Sequence, residues 1–151
     1  MKKSDIHILV FAAMTLVLGG ALEELLPRFC GVGFPVLLAV SDTGAARRSF
    51  FAAVLFAAVA GAFEDALSGL PALTGVVFFI LAVLLVRSAR FGRFASALTF
   101  PLCQIWTWLW VSDVGGSVFV RLLVAAPLGL VTSYVADIVI RFVERRFALV
   151  D

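Results

Sequence analysis

Long apolar stretches separated by short knots of charge make up this chain. The knots are Glu23/Glu24/Arg28, Arg47/Arg48, Glu64/Asp65, Arg87/Arg90/Arg93, Asp113 and the basic run from Arg141 to Arg146. Between them lie six apolar segments, 6–22, 30–46, 49–67, 71–88, 95–112 and 116–140. Barrel strands alternate apolar and polar side chains, whereas these segments are continuously apolar, so helices are expected and a β-barrel is not. A helix needs about 20 apolar residues to cross a bilayer core. The pattern therefore predicts an all-α bundle of six transmembrane helices, forming one domain over 1–151. The second segment is the weakest. It opens with Gly31, Gly33 and Pro35 and carries Asp42 near its far end, which predicts a short, tilted or partly broken helix buried among the others. Five spans is the competing count.

Composition fixes the class. The 151 residues are 63% hydrophobic and 15% charged, with a mean hydropathy of +1.13, which leaves too few polar side chains to cover a water-soluble domain of this size. Charge then orients the bundle. With both termini cytoplasmic, the inner positions collect Lys2, Lys3, Arg47, Arg48, Arg87, Arg90, Arg93, Arg141, Arg145 and Arg146, ten of the twelve Lys and Arg. The outer side collects Glu23, Glu24, Glu64, Asp65 and Asp113, with Arg28, while Arg121 falls in the sixth segment near its outer end. Short loops follow this positive-inside asymmetry, and five spans would scramble it. Lys2 and Lys3 before an apolar run also resemble a signal peptide, with a small-residue cleavage site near Gly19–Ala21. A retained first helix is expected instead, because its removal reverses the charge balance. Trp106, Trp108 and Trp110 crowd the outer end of the fifth segment, where indole rings prefer the interface. The net charge of +2 reads as a topology signal. No Lys/Arg cluster is interleaved with aromatics as on a nucleic-acid face.

Catalytic constellations are not found. Cys30 and Cys103 fall at different depths, and His7 stands alone with no Cys or carboxylate cluster to make a zinc site. There is no phosphate-binding glycine loop, GxSxG elbow or paired-His motif. The chain is expected not to be an enzyme and to carry no cofactor or metal. Charge within the apolar segments is the remaining chemistry, and such residues are functional or paired. Asp137 stands one turn before Arg141, which predicts an i,i+4 ion pair. Arg121 is expected to snorkel outward or to meet Asp113, Glu64 or Asp65.

The third segment carries the most informative spacing. At about 100° per residue, Val54, Ala58, Gly61, Asp65 and Ser68 form one stripe, with Ala53, Ala57, Ala60 and Glu64 beside it. Phe56, Phe63 and Leu67 occupy another side. Small residues let helices approach closely, so the small stripes should face the bundle and the Phe side lipid. Glu64 and Asp65 then point toward neighbouring helices at the outer rim. Adjacent on a helix, they diverge by about 100°, a poor arrangement for shared acid–base work. Ser68-Gly69 and Pro71 end the helix and turn the chain.

A short six-span chain with G-x-x-x-D-x-x-S-G closing its third helix, here Gly61, Asp65, Ser68 and Gly69, resembles the MreD family of rod shape-determining proteins. Pro71, Thr74 and Gly75 opening the fourth segment, Phe34-Pro35-Val36-Leu37-Leu38 in the second and Ala126-Pro127-Leu128 in the last extend the resemblance over roughly residues 30–140. Glu64 departs from it, adding a charge where that helix is typically apolar. The resemblance implies a non-catalytic scaffold of the cell-elongation machinery in the bacterial cytoplasmic (inner) membrane. It also implies binding to an MreC-like protein and coupling of MreB filaments to peptidoglycan synthesis by RodA and its penicillin-binding partner. MreD-like proteins are similar in build to the substrate-binding membrane subunits of energy-coupling-factor transporters. A vitamin-type transporter subunit is therefore the rival, although in-membrane polar groups are few, mainly Thr15, Thr99, Gln104, Thr107, Thr132 and Ser133. A holin-like pore fits less well, because no polar stripe repeats along a helix. Candidate partner-binding or helix-packing residues are Gly61, Glu64, Asp65, Ser68 and Gly69. The in-membrane charges to place are Arg121, Asp137 and Arg141. Basic ends at Arg47, Arg48, Arg87, Arg90 and Arg93 also fit lipid anchoring.

Overall fold

A computed structural model describes residues 3–45, 49–89, 95–110 and 117–148. Arg47, Arg48, Arg90, Arg93 and Asp113 lie outside the described residues, as do Lys2, Gly115, Gly116 and the side chains of Lys3 and His7. The described residues form α1 (Lys3–Leu25), α2 (Val36–Ala45), α3 (Phe50–Ser68), α4 (Thr74–Ala89), α5 (Ser96–Trp110) and α6 (Val118–Ala148), and include no β-strand beyond an isolated Phe29–Val32 bridge.

Four helices, α1, α3, α4 and α5, track the apolar segments closely. The other two differ for separate reasons. α6 continues past Ile140 to Ala148, because Arg141, Glu144 and Arg145 end the apolar segment without ending the helical hydrogen bonding. α2 has only 10 residues, which is about 15 Å of helix. Residues 30–35, expected within the second span, are irregular. Phe29 and Val32 exchange backbone hydrogen bonds at 2.8 and 2.9 Å across Cys30 and Gly31, whose φ angles of 52° and 79° are left-handed. Pro35 then starts the helix. Most of α2 is buried.

Hydrogen bonds between helix ends set the bundle's direction. Glu23, late in α1, reaches the start of α2, and Trp106, late in α5, donates through Nε1 to the Thr74 carbonyl at the start of α4 (3.1 Å). At the opposite end, Arg87 of α4 donates to the Ala45 carbonyl closing α2 (2.8 Å). Thus α1, α3 and α5 finish where α2, α4 and α6 begin. Ala53, Ala57 and Ala60 of α3 pack with Leu37, Phe79 and Val83 in the core. The outside is lined with exposed Leu, Val, Ile and Phe on α1, α3, α4 and α6. Two helices, Phe50–Ser68 and Val118–Arg146, are long and apolar enough to cross a membrane; Val36–Ala45 and Thr74–Ser88 are apolar but shorter.

Candidate functional site

Three carboxylates, each on a different helix, reach across to the beginning of another. Asp65 of α3 is buried, and its Oδ1 accepts from the Gly75 N–H at 2.6 Å. That amide is among the first of α4, which have no partner within their own helix, and an acceptor with negative charge is favoured there. The contact needs very close backbones. A Cβ placed on Gly61 would lie 2.6 Å from the carbonyl carbon and oxygen of Gly75, and one on Gly75 would lie 2.6 Å from the Gly61 carbonyl. Gly61, Asp65 and Gly75 thus form one joint between α3 and α4. Gly69 closes α3 in the left-handed conformation (φ 67°), and Ser68 donates to the Glu64 carbonyl at 2.7 Å. Ser68 is exposed.

The Phe side of α3 does not simply face lipid. Phe56 and Phe63 are half-buried against the core, and a Cβ on Gly20 would sit 2.5 Å from the Phe63 ring. α1 covers this face because Gly20 presents no side chain. Phe51, Leu55 and Val59 form the exposed face instead.

Glu23 makes the second contact. Its Oε1 accepts from the Leu37 N–H at 2.7 Å, capping α2 from α1. The Glu64 carboxyl group lies beside that of Glu23. Around the pair lies a cavity of about 430 Å³, lined also by Arg28, Phe34, Gln104 and Arg121. Arg121 is half-buried, and its guanidinium lies where a Cβ on Gly31 would meet it at 2.9 Å. Of the carboxylates expected near Arg121, Glu64 shares this cavity, Asp65 is not among its walls, and Asp113 lies outside the described residues.

The third carboxylate is at the other end of the bundle. Asp42 of α2 is fully buried and accepts through Oδ2 from Ser96 (2.9 Å) and Thr99 (2.5 Å), both in the first turn of α5. Its Oδ1 has no partner among the described residues, and neither do the buried Ser41 and Ser133 hydroxyls. The sequence pattern marks Asp42 as an acid inside an apolar segment and assigns it no role. The available signal was an acid inside an apolar segment together with two hydroxyls at i,i+3 spacing in another, since a buried carboxyl requires donors. On α6, Arg141 and Asp137 form the i,i+4 pair at 2.9 Å, with the Asp137 side chain nearly buried.

These groups serve helix joining. No group of three or more His, Cys, Asp or Glu among the described residues is arranged to hold a metal. No family model, curated protein or solved structure matches the chain.

Proposed function

We propose that the chain is a multi-pass scaffold of the bacterial cytoplasmic membrane, of the MreD type, acting by assembly and not by turnover. In this reading all six helices cross, and the irregular residues 26–35 complete the path that the short α2 begins. The Glu23 end faces outward and the Asp42 end inward, in keeping with the charge asymmetry. The partners are an MreC-like protein and, through it, MreB, RodA and its penicillin-binding partner.

The observation that carries the reading is the use made of the G-x-x-x-D-x-x-S-G run. Its Gly and Asp bring α3 and α4 into backbone contact, as an architectural motif does, and its Asp is not presented as a reacting group. Association in lipid relies on close packing and satisfied polar contacts. A locked α3–α4 pair offers a partner helix a fixed apolar surface at Phe51, Leu55 and Val59.

A second reading, a solute-binding transporter subunit, is favoured by the cavity beside Glu23 and Glu64. Against it, Thr107 and Thr132 bond to carbonyls of their own helices and Thr99 to Asp42, leaving few polar groups for a ligand. Affinity purification from detergent separates the two. The scaffold reading expects the one-span MreC-like protein of the same genome to co-purify, and expects Gly61→Leu and Asp65→Leu to weaken that recruitment more than membrane insertion. Capture of an ATPase pair in its place would overturn it.

A further inference from the structure

Oxygen atoms that helix joining leaves unused lie at the Asp42 end of the bundle. Asp42 is fully buried, and its two hydrogen bonds, from Ser96 and Thr99, both fall on Oδ2, so Oδ1 has no partner among the described residues. The Ser133 hydroxyl of α6 is also buried and without a partner there. It stands on the face of α6 that meets the start of α5, one turn beyond Gly129, where a Cβ would run into the Ser96 carbonyl. α2 packs on both helices and ends one turn past Asp42, at the buried Ala45. The last carbonyls of a helix have no partner within it and carry partial negative charge. Carboxylate, hydroxyl and helix end thus bring lone pairs and negative charge to one level of an apolar interior.

We propose that Asp42 anchors a sodium ion between α2, α5 and α6, with Oδ1 as its anionic ligand and the Ser133 hydroxyl as a neutral one. The donor set determines the class of ion. Every donor is an oxygen, which suits a hard cation and not zinc, copper or iron. A single carboxylate matches a single charge, whereas calcium sites draw on more acidic oxygens. Ser96 and Thr99 act as the outer hydrogen bonds of a ligating carboxylate: by holding Oδ2 they fix the direction of Oδ1. The end of a short helix inside a membrane bundle is a recurrent place for a sodium ion, because its carbonyls favour positive charge. Asp137, nearly buried one turn beyond Ser133, continues the same stripe to the half-exposed Arg141, which marks a polar route from the helix end. The described charges at this end are otherwise engaged. Arg87 donates to the Ala45 carbonyl and lies over the Phe50 ring, and Arg141 pairs with Asp137. Arg47, Arg48, Arg90 and Arg93 lie outside the described residues. The claim concerns binding alone and holds whether the chain acts as a scaffold or as a carrier.

Equilibrium dialysis of radiolabelled sodium against the purified protein in lipid nanodiscs tests it. The expected result is a single saturable site, and a thermal midpoint that rises with sodium chloride but not with choline chloride at equal ionic strength, since a ligand of the folded state stabilises it. Asp42→Asn removes the charge while keeping an oxygen acceptor, and should abolish sodium binding. Thr99→Ala should weaken affinity about tenfold, as loss of an outer hydrogen bond does, and Thr99→Ser, which keeps the hydroxyl, should restore it. Glu24→Gln, at the opposite end of the bundle, should bind sodium as the wild type does. Were a proton or one of the undescribed arginines to neutralise Asp42 instead, the wild-type protein would bind no sodium, and the proposal would fall. Binding that survives Asp42→Asn, or equal stabilisation by the two salts, would also overturn it. The wild-type measurements stand even if a variant fails to fold.

Discussion

The α1–α2 and α3–α4 hairpins begin from nearly the same residues and use them differently. α1 closes on Gly20-Ala21-Leu22-Glu23-Glu24 and α3 on Gly61-Ala62-Phe63-Glu64-Asp65, each followed by a proline-bearing linker. Both hairpins cap their second helix with a carboxylate from their first. In the first hairpin the cap is the earlier acid, Glu23; in the second it is the later one, Asp65. The linkers differ too. Residues 26–35 separate α1 from α2, whereas only 69–73 separate α3 from α4. The short linker holds α4 against Gly61, and the residue on that stripe is Asp65. The long linker leaves α2 beside Glu23. Each choice frees the other acid. Glu24 turns outward to pair with Arg28, and Glu64 turns to meet Glu23. One motif thus yields two caps and a pair of facing carboxyl groups, because adjacent helical positions diverge by about 100°.

Thermal unfolding in detergent tests this comparison. The largest expected difference is between the two glycines. Gly61→Ala meets backbone, which cannot yield, and should cost about 3 kcal/mol. Gly20→Ala meets the Phe63 ring, which can rotate, and should cost about 1 kcal/mol. Equal costs would show that the hairpins are not packed differently.

The caps come next. Asp65→Ala strands a buried amide and should cost about 2–3 kcal/mol, and Asp65→Asn, which keeps an acceptor, should recover most of it. Glu23→Ala, at a half-buried site, should cost about 1–2 kcal/mol. A reversed order would remove the distinction between a buried and a partly wetted cap.

Smaller effects should come from the linkers. Leu73, exposed and at φ 72°, occupies the left-handed region without being glycine. Leu73→Gly should stabilise the protein by about 1 kcal/mol, and destabilisation would show that the Leu73 side chain contributes packing that exceeds this strain. Glu24→Gln should shift stability by less than about 0.5 kcal/mol, since an exposed pair at 3.7 Å is weak.

The helical class and most helix positions follow from the residue pattern alone, because continuous apolar runs bounded by charge admit little else. The inward placement of Ala53, Ala57, Ala60 and Gly61 and the pairing of Asp137 with Arg141 follow from it too, since both depend on the period of one helix. The limits of α2 and α6 were partly legible: Pro35 and the glycines marked a weak second segment, but charge at Arg141 looked like an end and is only a change of face. Which acid meets which helix is settled by packing. Asp65 on Gly75, Glu23 on Leu37, Asp42 on Ser96 and Thr99, and the meeting of Glu23 with Glu64 all join residues 10 to 57 positions apart or on different hairpins. Helical periodicity places a side chain on a face. Linker length and the close approach of glycines place a neighbour against that face, and no local pattern encodes those distances.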